Sequence, residues 1–562
     1  MGWTWSAAQG RTQLVVRSNA EGNDAGYLPY ILLSKIANPL NCPRLLLRIA
    51  IFEVFDLVAG EAVSTLLFIS ALGIYVHAFF LSISLGLPFV IGALLYKWWR
   101  TKDKDYYEAV KTTTGVLGLN FALGAITGTL VEFGLVQAWP GSIFVIATFG
   151  FMPLALELIA FIGEIVILII FIVTLGRVKP QSSLGIIALY AMMAVLSGLL
   201  ITTANSWLNV PWGTGNLAQS LYPFLPQYGP LAADPQALVR LKVQFLTRST
   251  PGSPAQALQD PSFAQKVGLT LWDPFVAFGS PYAIASMIHN VNAGIIVGMA
   301  FALAGYGYRF FKSSNKKNLK IIRAFLPILL VSLVLQPTVF GDFMGKMVAA
   351  NQPTKFALME NAQTTITNPL ISFLAYGDPS RPIVGFDTFA KACNSLGSNT
   401  LASTKLSSVC LSDLALAESR IGVINAAYYA KIAFGVLALV SLVALTAYTF
   451  KIPILSKIAA VIFRRLGNRG TILLLSILLL VSTITPASLG WFIRENGRKP
   501  WTVYGLLYPS EISTPVPINP VVLAAFTITF VVMAVVGIYG MYVVSTKRLR
   551  FIELLRKGAG VE

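Results

Sequence analysis

Charge is scarce in this chain: Asp, Glu, Lys and Arg make up 12% of its 562 residues, whereas 55% are hydrophobic. A soluble domain carries roughly twice that charged fraction. A soluble fold is thereby excluded, and the length suits an integral membrane protein of about nine spans plus sizeable loops. Cysteine is nearly absent, with three residues and no CxxC or CxxCH, which excludes thiolate metal centres and covalent haem attachment. Histidine is scarcer still. His77 and His289 each lie twenty residues before the basic residue, Lys97 or Arg309, that ends a long apolar run. At ~1.5 Å per helical residue that is about 30 Å, one bilayer core, so both imidazoles lie at one depth near the same face. Two rare ligand residues at one depth suggest a cofactor layer.

Apolar runs of spanning length fall at about 63–96, 113–137, 142–176, 183–204, 281–308, 321–340, 421–450, 470–493 and 518–546. The expected fold class is therefore an all-α integral membrane protein with about nine transmembrane helices and two long extracytoplasmic loops. Lys and Arg crowd 97–111, 309–323, 451–469 and 547–557, all on one side if the chain alternates. The positive-inside rule makes that side cytoplasmic, with the N-terminus outside and the C-terminus inside a prokaryotic plasma membrane. These segments largely explain the net charge of +18, so no nucleic-acid partner is expected.

The domain reading is a 1–60 extension, helices one to six over 61–341 with an outer loop at 205–280, a second outer loop over 342–420, and helices seven to nine over 421–562. Loops of this length tend to carry function. Cys393 and Cys410 share the second loop on the oxidising side, so a disulfide between them and two free thiols are both open; Cys42 is left over. Residues 1–60 lack the pattern of a cleavable signal peptide and read as an extension with an interfacial helix.

Ionisable groups at membrane depth cost several kcal/mol unless paired or liganded, so each is a functional candidate. Glu132 stands twenty-one residues beyond Lys111, Lys431 twenty before Lys451, and Glu495 twenty-six beyond Arg469, all near the outer face with the histidines. Glu164, thirteen residues before Arg177, lies near the midplane, with Glu157 further out. Two functions suit such a set: a proton-coupled carrier without haem, or a redox enzyme whose His and Glu bind haem iron. Spacing alone does not choose. The absence of an apparent inverted repeat and the gathering of polar residues at one face lean toward redox chemistry.

Five stretches together resemble subunit I of the cytochrome bd quinol oxidases: GIYVHAFFLSISLG around His77, GLNFALGAITGTLVEFG with Glu132, PLALELIAFIGE through Glu164, GDFMGKMVAANQPTKFALME over 341–360 and GWFIRENGRKPW over 490–501. The resemblance spans about residues 60–545. It implies that His77 and Glu495 ligate the irons of an active di-haem pair, and that His289 ligates a low-spin haem b. The di-haem pair would be a high-spin haem b with a haem d or a third haem b. Trp491 would assist electron transfer, Arg498 would stand beside the glutamate ligand, and Glu132 and Glu164 would serve the haem site and proton path. Lys355 and Glu360 match positions tied to quinol oxidation, which makes 342–420 the quinol-binding loop. The implied activity is electrogenic quinol:oxygen oxidoreduction without a pump, with quinol and O2 as substrates. A second membrane subunit, subunit II or a subunit I paralogue, is the implied partner.

Three features depart from the family. Lys431-Ile432-Ala433 stands where Arg-Ile-Met is usual, and Ala433 cannot ligate iron, although Lys431 can still meet a haem propionate. PLALELIAFIGE is one residue shorter between its glutamates, which turns Glu157 by about 100° relative to Glu164. The 1–60 extension has no counterpart. A paralogue lacking the low-spin haem or quinol activity is therefore the alternative within the family.

Overall fold

The computed structural model describes residues 62–139, 150–230, 275–396, 401–453, 464–513 and 519–546, with 141 and 456. The expectations for 1–60, the middle of the first outer loop and the C-terminal basic segment fall outside these residues. The described residues form an all-α membrane protein with 9 helices long and apolar enough to span a bilayer. They are α1 (Ala62–Thr101), α2 (Lys104–Ala138), α3 (Phe151–Thr174), α4 (Pro180–Asn209), α5 (Pro281–Ser313), α6 (Lys316–Asn351), α7 (Ile421–Phe450), α8 (Gly467–Asn496) and α9 (Pro520–Thr546).

Capping fixes the tight ends. Asp103 accepts from the Asp105 backbone N–H to start α2, and Asn315 does the same for Lys317 at α6. Ser314, in the left-handed region, ends α5 just before it. These two hairpins meet at one end of the bundle, where Lys317 and Lys320 pair with Asp105 and Asp103.

Between apolar helices in lipid, close packing and hydrogen bonds do the joining that hydrophobic burial does in water. α1 and α5 cross at Gly86 and Gly298: a Cβ on Gly86 would lie 2.5 Å from the Ile295 carbonyl, and one on Gly298 2.5 Å from that of Ser82. Around the crossing, Phe80, Ile83, Val90, Leu94, Met299 and Leu303 form the core. Asn120 of α2 zips α1 through the Phe80 carbonyl and Ser84 Oγ, at 2.7 and 2.8 Å. α7 packs along α8, α3 along α4 and α9 along α2. α3 and α9 leave most of their apolar surface outward, as lipid-facing helices do.

Two boundaries differ from the sequence reading. α2 starts nine residues earlier than 113, because its charged first turns are helical beyond the apolar run. α6 runs past Gly341 to Asn351, since DFMGKMVAAN holds no Pro and gains an Asp342–Lys346 pair one turn apart. The helix thus runs ten residues into the segment read from the sequence as the second outer loop.

At the end opposite the Lys317–Asp105 contacts, three segments form a cap. Asp413, 5% exposed, accepts from Tyr222 Oη at 2.5 Å and also from Tyr508 Oη, while Trp501 Nε1 donates to Tyr222 Oη at 3.0 Å. The Cys393–Cys410 disulfide is formed and ties the helix bearing Asp413 to its neighbour.

Candidate functional site

The C-terminal end of α8 carries Trp491 and Glu495, with Arg498 just past it. Glu495 Oε2 pairs with Arg498, one turn on, and Oε1 accepts from Asn205 of α4 at 3.4 Å. Arg494 points the other way, with Nη1 on Ser286 of α5 at 2.6 Å and Nη2 on Ser206 of α4 at 3.1 Å. Its guanidinium also lies 5.2 Å from the Trp491 ring centroid. One arginine therefore bridges α4, α5 and α8. The sequence reading missed it, although a basic residue within a spanning helix was the available signal.

Lys355 sits on the short helix Pro353–Met359 and is 2% exposed. Its stem lies against Gly497, where a Cβ would come 2.8 Å from Lys355 Cγ, so only glycine admits it. Nζ donates to Gln352 at 3.2 Å, and Gln352 is itself held by the Asn209 carbonyl at 3.0 Å. Burial first, then Arg494, Arg498 and Lys431, hold the Lys355 ammonium well below its ordinary range, against the opposing pull of Glu495. Burial and Arg498 likewise bring Lys499 down to about 7. Lys431 of α7 enters the same region from the side, with Nζ 3.6 Å from where a Cβ on Gly490 would lie.

Five cations, Lys355, Lys431, Arg494, Arg498 and Lys499, thus surround one described carboxylate, Glu495. Buried donors remain unmet: Arg494 Nε, Arg498 Nε and Arg498 Nη1 have no hydrogen-bond partner among the described residues. Buried charge of one sign needs compensation. A cofactor carrying carboxylates, as haem does in its propionates, fits this donor set.

The histidines occupy two other walls. His77 leans on α2, with Nδ1 3.1 Å from the Gly124 carbonyl and 3.3 Å from Thr127 Oγ1. Gly128 makes the seat, since a Cβ there would lie 2.8 Å from His77 Cε1. Two residues earlier, Tyr75 reaches the Ser488 carbonyl of α8 at 3.4 Å. His289 of α5 faces Gln336 of α6, whose Nε2 lies 3.3 Å from His289 Nδ1. Lys431 and Arg494 are in electrostatic range of that imidazole.

The acids separate from the cations. Glu157 and Glu164 share one face of α3, two turns apart, and Ser197 of α4 donates to Glu157 at 3.0 Å while neighbouring Glu164. Glu164 is buried, Glu157 is half-buried, and Glu132 is exposed within electrostatic range of Glu157. The shorter spacing has left Glu157 on the line rather than off it.

Lys355 and Glu360, grouped in the sequence, face different places. Glu360 is outside the cationic cluster and accepts from Tyr429 Oη at 3.0 Å, with Tyr428 packed edge-on to Tyr429. Burial raises the Glu360 carboxyl above its ordinary range, partly countered by the Tyr429 hydrogen bond. Ala433 is exposed, on the outward face of α7 that also presents Tyr429, Val436 and Val440.

Fold and site together define a multi-span helical membrane protein with a buried basic cluster at one end, flanked by two walled histidines and an acidic line. Residues 68–549 match the family model for cytochrome bd terminal oxidase subunit I, and the chain belongs to that family. It is 24% identical over 500 residues to cytochrome bd ubiquinol oxidase subunit 1 of Bacillus subtilis (strain 168), covering 86% of this chain and 91% of that one. A second protein of that organism, provisionally named cytochrome bd menaquinol oxidase subunit I, is 21% identical over 492 residues, 82% of this chain and 92% of its own. The solved bd oxidase from Geobacillus thermodenitrificans shares the fold with a TM-score of 0.65 at 17% identity, over 87% of this chain and 99% of that chain.

Proposed function

We propose that this chain is the haem-bearing subunit of a bd-type terminal oxidase that oxidises quinol at the outer face and reduces O2 to water. The observation that carries the proposal is the buried surplus of positive charge around Glu495, with guanidinium nitrogens that meet no acceptor among the described residues. Bound haem supplies the electron transfer and the oxygen chemistry; the protein supplies ligation, proton access and a dry surrounding.

His77 and Glu495 hold the active pair, a high-spin haem b with a haem d or a further haem b, and His289 holds a low-spin haem b. Lys431, Arg494 and Arg498 neutralise carboxylates at that site, and Arg498 also fixes Glu495 by a direct ion pair. Trp491, under the Arg494 guanidinium, assists electron transfer. Glu360, half-buried and hydrogen-bonded to Tyr429, takes a quinol proton at the outer surface. Lys355, pinned inside against Gly497, presents a donor to the reduced or oxidised head group's oxygens from the other side. Glu164, with Glu157 and Ser197, passes protons from the cytoplasmic side outward toward the haem layer, and Glu132 stands at the outer end of that line. Quinol protons leave outside while oxygen takes protons from the cytoplasm, so charge separates without a pump. The 342–420 segment is the quinol loop, a second membrane subunit completes the complex, and the N-terminus lies outside with the C-terminus in the cytoplasm.

One observation favours a second reading. Ala433 faces outward and carries no donor, so a paralogue without the low-spin haem is the alternative. A reduced-minus-oxidised spectrum of the purified complex with pyridine-haem extraction decides between them. Three haems with a sharp low-spin band support the oxidase, two haems without that band support the paralogue, and a colourless protein defeats both.

A further inference from the structure

Glu164 stands ten residues before the end of α3 and is 5% exposed, so a proton reaching it from that end must cross the inner half of the bundle. α4 runs back alongside α3 and carries hydroxyls on one face, since Ser183, Tyr190 and Ser197 are spaced seven residues, or two turns, apart. The acids of α3 keep the same interval, Glu164 to Glu157. Ser197 meets Glu157 at 3.0 Å, and in an antiparallel pair two turns inward on both helices bring Tyr190 to the level of Glu164. These two are in electrostatic range. Phe121 of α2 closes the junction, its ring centroid 6.0 Å from that of Phe161, one turn from Glu164, and 6.4 Å from that of Tyr190.

Inward of this junction the hydroxyls lack protein partners. Tyr190 Oη, Ser183 Oγ and, two turns before Phe121 on α2, Thr114 Oγ1 are buried and meet no hydrogen-bonding group among the described residues. Thr202 and Thr203 of the same α4 satisfy theirs on the carbonyls four residues back, which is the usual recourse of a hydroxyl in a helix. A buried hydroxyl without a partner is unfavourable in an apolar surrounding, and water removes the penalty where several such groups converge. Because α2 and α4 run the same way, Thr114 and Ser183 share one level, about 10 Å inward of Phe121 and Tyr190. That span is too long for a direct hydrogen bond and suits a short chain of waters.

We infer that Tyr190 is the last protein hydroxyl on a water-linked path that brings protons to Glu164, with Ser183 and Thr114 at its inner end. The inference rests on the reading of Glu164 as a proton relay. A phenol both accepts and donates. Tyr190 Oη takes a proton from the water on the Ser183 side as it gives its own, through the water between them, to the Glu164 carboxylate. The phenol ends as it began, the carboxylate gains one proton, and no electron moves.

The test uses the purified complex in vesicles, with proton uptake followed by a pH-sensitive dye and the Glu164 carboxyl followed in the oxidised-minus-reduced infrared spectrum, where E164Q identifies its band. Y190F removes the hydroxyl and keeps the ring, and S183A removes the inner hydroxyl with little change in volume. The expected result is an unchanged haem count in both, slower proton uptake in both, on the order of 100-fold in Y190F, and a shifted Glu164 band in Y190F. S441A is the control, since Ser441 Oγ is likewise buried without a partner among the described residues but lies on α7, and it should keep the wild-type rate. Wild-type uptake in Y190F overturns the inference, as does a Glu164 band that stays in place or an equal slowing in S441A. Should Y190F fail to assemble, S183A decides, and wild-type uptake there overturns the path. If E164Q takes up protons as fast as wild type, the reading of Glu164 as a relay fails, independently of the Tyr190 result.

Discussion

Replacing Gly128 with alanine adds one methyl group, and the structure says where it goes: 2.8 Å from Cε1 of His77. Ordinary contact begins near 3.4 Å, so the imidazole must retreat from α2 by about 0.6 Å. Both partners of Nδ1, the Gly124 carbonyl at 3.1 Å and Thr127 Oγ1 at 3.3 Å, belong to α2, and retreat lengthens both beyond hydrogen-bond reach. Losing two such bonds costs about 1–3 kcal/mol, and loss of the outer partners of a ligating histidine typically weakens metal binding by about 10–100-fold. G128A should therefore lose the haem bound by His77 on purification, or retain it with an altered reduced-minus-oxidised spectrum, while the remaining haems stay. G435A is the control, since a Cβ at Gly435 meets nothing within 4 Å. A wild-type haem count and spectrum in G128A would refute the seating of His77.

Removing the Tyr429 hydroxyl in Y429F takes away the bond that favours the ionised Glu360. Because burial already raises that carboxyl and the base must be ionised to accept a proton, the acid limb of quinol oxidation should move to higher pH; a profile unchanged from wild type contradicts the role of Glu360. Alkylation without reductant, followed by intact mass, should find Cys393 and Cys410 blocked. C393S should lower stability by about 3 kcal/mol, the scale for closing a loop of this size, and labelling of both thiols would disprove the bridge. G298L should prevent α1 and α5 from closing on each other and abolish stable expression, whereas folding like wild type would mean that the helices can part at little cost.

The spans were legible because a bilayer imposes length and apolarity on the sequence, and each of the nine runs returned as a helix. Ends were less legible: apolarity stops where lipid stops, but helical hydrogen bonding continues through the charged start of α2 and through 342–351 of α6. Counting from basic ends put His77, His289 and Glu495 at one depth, yet it carries no information on rotation about a helix axis. Hence Lys355 and Glu360, five residues apart, were grouped although a short helix turns one inward and the other toward Tyr429. Arg494 was hidden by its neighbour Glu495. Ala433 was noted for what it cannot ligate, while its outward face came only from the packing of α7.

The Asp413 carboxylate sets an order on biogenesis. Its two phenol partners lie 191 residues upstream and 95 downstream, and the indole that braces one of them is 279 residues beyond it. Chains emerge from the ribosome N-terminus first, and domains assemble as their parts appear. The cap therefore stays open through the synthesis of α1 to α8, and it closes only when the stretch after Glu495 has been made. Lys355 and Lys431 precede that stretch whereas Arg498 and Lys499 belong to it, so the basic cluster and the cap beside it are completed together.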